Sequence, residues 1–312
     1  MQYVKNEWIK MWSQKNAWIM LGILLALLAF VTGMNKYYSV DSATKEDRIE
    51  ANEKWISHYN EMLNEEGLAD EDVQYFNDEI TMTEYRIAQD LPSFDAMSFS
   101  EHMELSITIT IMIIGIFTVV IAAGIVSSEF GTGTIKMLLT RPVSRWKILL
   151  SKLVTSILYG ATLLASGLIF SYILGILLFN TDPTVTLSVM NGQVIEETVN
   201  TPFMEMILYS VGSILMTILF AFMIGTIFGS STLAVSLSLF ILLMGSTATM
   251  FIAKYDFAKY VWFANDLSFY APGSMPLIEG LTFTFSLIVN IVYAIVFLAI
   301  TFIYFMKRDV TA

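Results

Sequence analysis

The sequence predicts an all-α integral membrane protein with six transmembrane helices, an N-terminal interfacial helix and an extracellular helical hairpin. Three observations predict it. First, 55% of the 312 residues are hydrophobic and mean hydropathy is +0.64, well above that of ordinary soluble domains. Second, six apolar runs, at 17–34, 105–126, 153–179, 206–228, 232–252 and 281–306, can cross a hydrocarbon core that takes about 20 helical residues. Third, the net charge of −11 is concentrated. Residues 34–104 hold eighteen acids against five bases, a balance of −13 that leaves about +2 for the rest. Backbone groups in lipid must bond within their own segment, so the runs are expected as helices and not as strands.

In chain order, residues 1–34 form the first part. Residues 1–16 carry Val4, Trp8, Met11 and Trp12 at helical spacing, with Lys5, Lys10 and Lys15 between them. That pattern predicts a helix lying in the membrane interface, or a plain positively charged anchor, ahead of the first span. Residues 35–104 form the acidic part. Ile49, Trp55, Ile56, Tyr59, Met62 and Leu63 share one helical face over 41–66. Val73, Phe76, Ile80, Ile87 and Leu91 repeat the pattern over 70–91, after a break at Gly67 and before Pro92. Two such helices predict an antiparallel hairpin. Residues 105–312 hold the other five spans. Between the third and fourth, 180–205 contains an Asn191-Gly192 turn signal and suggests a small β-hairpin. Residues 229–231 make a tight turn. The aromatic-rich stretch 253–280 suits the headgroup level.

Between the second and third spans lies a polar, basic island, 127–152, reading SSEFGTGTIKMLLTRPVSRWKILLSK. It holds five of the seventeen Lys and Arg residues and a single acid, Glu129. Gly131 and Gly133 can adopt conformations that end a helix, Pro142 biases Arg141 out of helix, and Ser144 can cap the helix that follows. Positive charge between spans also fixes topology in any polytopic protein. That accounts for the bases but not for the glycines, the Pro-Val-Ser-Arg turn or their order. The pattern predicts a shaped element at the membrane face that can receive a partner protein.

Glu129, Gly133-Thr134, Leu138-Leu139, Pro142-Val143-Ser144-Arg145 and Lys152 resemble the cytoplasmic coupling segment of ATP-binding-cassette (ABC) permeases of the type-2 exporter class. Bacterial members of that class include sodium-efflux and bacitracin-resistance permeases. The rest of the chain resembles the class only in its plan of hydrophobic spans. The resemblance implies a permease subunit in a bacterial cell membrane that docks on a separate ABC ATPase subunit, which carries ATP and Mg. It implies pairing with a second permease subunit, as homodimer or heterodimer, and export of a substrate, with peptide antibiotics among the candidates. It also implies that 253–280 forms a pair of short re-entrant helices; a simple amphipathic surface loop is the alternative. Glu129, Gly131, Gly133, Thr134, Leu138, Arg141, Pro142, Ser144 and Arg145 are the expected coupling residues.

Orientation follows from charge. With both termini cytoplasmic, inner segments hold ten bases in some fifty residues, against seven in the longer outer segments. The acidic hairpin then lies outside, where its charge either draws cationic molecules or only keeps it soluble. Several classes are disfavoured. No Walker loop closes around Gly131 and Gly133, so ATP is expected on another chain. With no catalytic pair in the runs and no zinc-ligand spacing around the two histidines, this chain is not expected to be an enzyme or to hold a cofactor or metal. No Asp, Glu, His, Lys or Arg lies inside an apolar run, which argues against an ion-coupled pump. His58 and His102 are expected as solvated surface residues. Cysteine is absent and no extended basic face suggests nucleic acid. A membrane-anchored sensor, with a ligand-binding outer hairpin and an inward-signalling island, is the alternative function.

Small residues recur at packing intervals, with Gly167, Ser171 and Gly175 in the third span, Ala221, Gly225 and Gly229 in the fourth, and Ala29 and Gly33 in the first. They predict close helix contacts inside one bundle, in preference to a seam between copies. Thr108, Thr110, Thr118 and Asn290 could line a path or bond to nearby backbone.

Overall fold

The computed structural model describes residues 2–39, 44–65, 68–92, 96–134, 144–179, 185–190, 193–198 and 202–308. Among them the helices are α1 (Gln2–Trp12), α2 (Lys15–Tyr38), α3 (Lys45–Leu63), α4 (Asp70–Ala88), α5 (Phe99–Gly131), α6 (Arg145–Leu178), α7 (Phe203–Ile227), α8 (Ser231–Ile252) and α9 (Phe283–Lys307). One antiparallel pair, β1 (Val185–Met190) and β2 (Gln193–Thr198), is the sheet. Helices α2 and α5 to α9 are long and apolar enough to cross a membrane, so this is an all-α, multi-pass membrane protein. The chain divides into two compact units.

The first unit comprises Met1–Ala26, Ile107–Ile169 and Pro202–Ala312. Helix α7 is the most buried of the six spans and packs against α8 and α9. Its contact with α5 depends on Gly225, where an added Cβ would stand 2.7 Å from the Ala123 Cα. At Gly167 on α6, an added Cβ would stand 2.7 Å from Cγ2 of Thr110. These small residues pack against the chain's own helices, as expected. Hydroxyls in the spans close onto their own helices: Thr118 donates to the Ile114 carbonyl at 2.7 Å and Thr226 to Phe222 at 2.8 Å.

The stretch after α8 forms three short 3-10 turns, Asp256–Tyr260, Trp262–Asn265 and Leu267–Tyr270. Asn265 organises them and is fully buried. Its amide donates to the Lys259 and Val261 carbonyls at 2.8 and 2.9 Å. From α9, Ser286 donates to its side-chain oxygen at 2.8 Å and Asn290 to its carbonyl at 2.6 Å. Asn290 therefore serves packing by bonding both to the turns and to the Ser286 carbonyl.

The second unit comprises Leu27–Ser106 and Phe170–Thr201. Helices α3 and α4 pack as the expected hairpin, although both are shorter than their apolar patterns. The expected break at Gly67 lies outside the described residues. Thr44 opens α3 with a capping box to Asp47. Asp90, at φ +56, closes α4, where Leu91 N–H bonds to the Arg86 carbonyl in place of another helical turn. Arg48 crosses from α3 to bind Asp90 at 2.7 Å, and this hydrogen bond holds the Asp90 carboxyl below its ordinary range. The aromatic rings of Trp55, Tyr59 and Phe76 line the hairpin. The β-hairpin is also as expected, with Met190 opposite Gln193, and β1 lies against α4. The Asn191-Gly192 turn itself lies outside the described residues.

Two expectations in this unit need correction. His102 is 1% exposed, not solvated, because a Ser98–Glu101 capping box starts α5 at Phe99 and so draws His102 into the helix. Its ring stacks on Phe179 at 4.6 Å, with Nε2 3.3 Å from the Ser171 carbonyl. His58 is exposed, as expected. Gly175 packs on Phe99, but Ala29 and Gly33 are exposed and an added Cβ at Gly33 meets nothing within 4 Å.

Candidate functional site

The site lies in the first unit and is built from the ends of three helices. Helix α5 runs past its apolar core through Ser127 and Glu129 to Gly131. Gly133, at φ +71, then ends it, with its N–H on the Phe130 carbonyl. Gly131 itself stays helical, so Gly133 alone supplies the left-handed conformation expected of the pair. Helix α6 opens at Arg145, where the Ser144 carbonyl accepts the Lys147 N–H, and brings Lys152 inward two turns later. Helix α1 places Glu7 and Lys10, three residues apart, on the same face.

These four side chains form one ion network. Lys152 Nζ donates to Glu129 Oε1 at 2.6 Å and to Glu7 Oε2 at 2.9 Å, and Lys10 Nζ donates to the same Glu129 Oε1 at 2.6 Å. The Lys152 side chain is 0% exposed and that of Glu129 5%, against 12% for Glu7 and 51% for Lys10. Formal charge cancels within the group, which is what allows two ions to be fully desolvated. Burial works against the Lys10 charge, but the hydrogen bond and attraction of Glu129, with Glu7 further off, hold its ammonium above the ordinary value. Glu129 Oε2 is buried without a hydrogen-bond partner among the described residues.

The junction of α1 and α2 is locked beside this network. Trp12 packs on Trp18 at 5.0 Å and on Tyr159 at 5.6 Å. Trp18 Nε1 donates to the Trp12 carbonyl at 2.9 Å, and Tyr159 OH to the Ala17 carbonyl at 3.1 Å. The face of α1 turned inward thus carries Glu7, Lys10 and Met11 together.

A second cluster ties the same segment to the end of the last span. Arg145 donates to the carbonyls of Arg308 and Met306 at 3.1 and 3.4 Å. The Arg308 guanidinium lies 4.0 Å over the Phe130 ring and donates to the Thr226 and Ile227 carbonyls at 3.1 and 3.3 Å. It thereby satisfies two of the orphan carbonyls at the C-terminus of α7.

Of the nine expected coupling residues, Glu129, Gly131, Gly133, Thr134, Ser144 and Arg145 are among the described residues. Leu138, Arg141 and Pro142 lie outside them. Glu129 and Arg145 bond within the chain. Thr134 is exposed, with its hydroxyl 3.0 Å from that of Thr132. Glu7 and Arg308 were not expected. The signal for Glu7 is its place three residues before Lys10 on a helix that also presents Met11; for Arg308 it is a base just past the final apolar run. No group of three or more metal-ligating side chains occurs among the described residues.

Residues 73–311 match a family described as "Protein of unknown function (DUF2705)". The chain belongs to the DUF2705 family. It is 38% identical over 313 aligned residues to the "Uncharacterized protein YhcI" of Bacillus subtilis (strain 168), covering 98% of each. It is 32% identical over 196 residues to the "Uncharacterized membrane protein YdbK" of the same organism, covering 62% of this chain and 76% of that one. The DUF2705 match takes in Glu129, Lys152 and Arg308 but begins after α1, so Glu7 and Lys10 fall outside it. The alignment with YhcI spans nearly the whole of both chains.

Proposed function

We propose that this chain is the membrane-spanning subunit of an ATP-driven exporter of the ABC type-2 class, driven by a separate ATPase that docks on residues 127–152. One observation carries the proposal. That segment leaves and re-enters the spans through two anchors: the ion pairs of Glu129 and Lys152 join it to α1, and hydrogen bonds from Arg145 to backbone carbonyls join it to the end of α9. A load applied there by a nucleotide-driven partner would reach α1, α5, α6 and α9 together, as coupling between distant sites requires. In this reading Thr134, Leu138, Arg141 and Pro142 meet the partner, whereas Glu129 and Arg145 hold the segment to the bundle. The −13 balance of residues 34–104 supports a cationic cargo such as a peptide antibiotic.

The experiment is co-expression with a candidate ATPase followed by affinity purification. The wild-type chain is expected to retain the ATPase, and Arg141→Glu to lose it while still inserting. If no ATPase is retained even after chemical crosslinking, the exporter assignment falls. A ligand bound by the hairpin of such a partnerless chain would indicate a membrane-anchored sensor.

The proposal also places both termini and residues 127–152 in the cytoplasm. The chain has no cysteine, so single cysteines can be labelled without background. A membrane-impermeant thiol reagent applied to intact cells is expected to label Asn60→Cys and Met190→Cys but not Thr132→Cys. Labelling at 132 would invert the orientation.

A further inference from the structure

Beside the ion network lies a cavity of about 260 Å³, framed by α1, α2, α5 and α8. Its lining changes character in the same direction on three helices. On α2, Asn16 gives way one turn later to Met20. On α8, Ser231 gives way to Val235. On α5, which runs the opposite way, Ser128 is followed at successive turns toward the N-terminus by Gly124 and Val120. A cavity lined in this way, from polar to apolar over about 12 Å of α5, matches the polarity of an amphiphile better than that of a water site.

The polar end is equipped for a phosphate. Lys10 offers a half-exposed ammonium and Gln14 and Asn16 offer amides. The N-terminus of α8 opens there too, with its first N–H groups uncapped by the Ser230 side chain. Glu7 adds a carboxylate on the same wall, a partner for an amine. The tryptophan cluster at the junction of α1 and α2 suits the headgroup level of a bilayer. Gly124 keeps the apolar end open: an added Cβ there meets nothing within 4 Å.

We propose that this cavity is a glycerophospholipid site, with the phosphodiester held by Lys10, Gln14 and Asn16 and an acyl chain lying past Gly124 toward Val120 and Val235. The lipid would then form part of the wall between the first helix and the spans, and it would be retained whether or not the chain exports anything.

Native mass spectrometry of the full chain, delipidated and titrated in detergent micelles with phosphatidylethanolamine or phosphatidylglycerol, tests it. The wild-type chain is expected to bind one phospholipid in preference to the detergent, and inorganic phosphate is expected not to displace it. Gly124→Leu fills the apolar end without touching the ion network and is expected to weaken binding about tenfold or more. Gln14→Glu, an exposed substitution at the polar end, is expected to weaken binding by repelling the phosphate, and it decides the matter if Gly124→Leu does not fold. Equal lipid binding by the wild-type chain and a folded variant would overturn the site. Displacement by inorganic phosphate, or occupancy by detergent alone, would overturn its assignment to a phospholipid.

Discussion

Lys152→Met is expected to lower the unfolding free energy by roughly 3–5 kcal/mol, the usual cost of stranding one side of a buried ion pair. Lys152 is wholly buried and donates to both Glu129 and Glu7. Methionine fills about the same volume but leaves Glu129 with Lys10 as its one cation within the network, and Glu7 without its hydrogen-bonded cation and with only the attraction of Lys10. The double variant Lys152→Met, Glu129→Gln removes charge from both sides and is expected to recover part of the loss, because the half-exposed Lys10 can return to solvent. Denaturant titration in detergent, followed by helical circular dichroism, measures both. A single variant within about 1 kcal/mol of wild type would mean that the network adds little beyond a surface ion pair. The pH dependence has a definite sign. The Lys10 ammonium is held above its ordinary value of 10.5, so its contribution is complete below that value and is lost as pH rises through the folded value.

Gly225→Ala is the second large effect. The added Cβ would fall inside contact distance of the Ala123 carbonyl oxygen and lie 2.7 and 2.8 Å from its Cα and carbonyl carbon. A backbone cannot swing aside as a side chain can, so α5 and α7 must separate. Overpacking of this kind costs about 1–3 kcal/mol, and the upper end is expected where the obstacle is backbone. Gly115→Ala on α5 is the control, since a Cβ there meets nothing within 4 Å and alanine is the better helix former by up to about 1 kcal/mol. If the two variants unfold at the same denaturant concentration, close packing at Gly225 is not what joins these helices.

Local pattern made much of the fold legible. Apolar runs the length of a bilayer identify the six spans, and two amphipathic stripes identify the hairpin of α3 and α4. The β-hairpin follows from the Asn191-Gly192 turn dipeptide. The errors also have local causes. The apolar runs stop where charge begins, but a helix continues until a cap or a left-handed residue ends it. Helix α5 therefore reaches back to Phe99 and takes His102 into the interior, and it runs forward past Glu129 until Gly133. The glycines of α6 and α7 are legible as packing residues from spacing, whereas Ala29 and Gly33, at the same spacing, are exposed.

The candidate site divides along the same line. The order of residues is enough to place a basic segment between the second and third spans, to make α1 amphipathic, and to show that no Asp, Glu, His, Lys or Arg interrupts the apolar runs. Hydropathy, helical period and turn chemistry are carried by residues within a few positions of one another, so a single chain read in order displays them. The folded chain alone shows that Glu129 faces inward to two lysines, that Lys152 is the more deeply buried base of the four-residue network, and that Arg145 and Arg308 bond to helix ends instead of standing free. Lys10 and Glu129 are 119 residues apart and Arg145 and Arg308 163. A charged side chain at a helix end suits water, a headgroup or a buried partner equally well by local rules. What settles the choice is the desolvation that packing imposes and the opposite charge that the fold brings within 3 Å, and neither is a property of any one stretch of sequence.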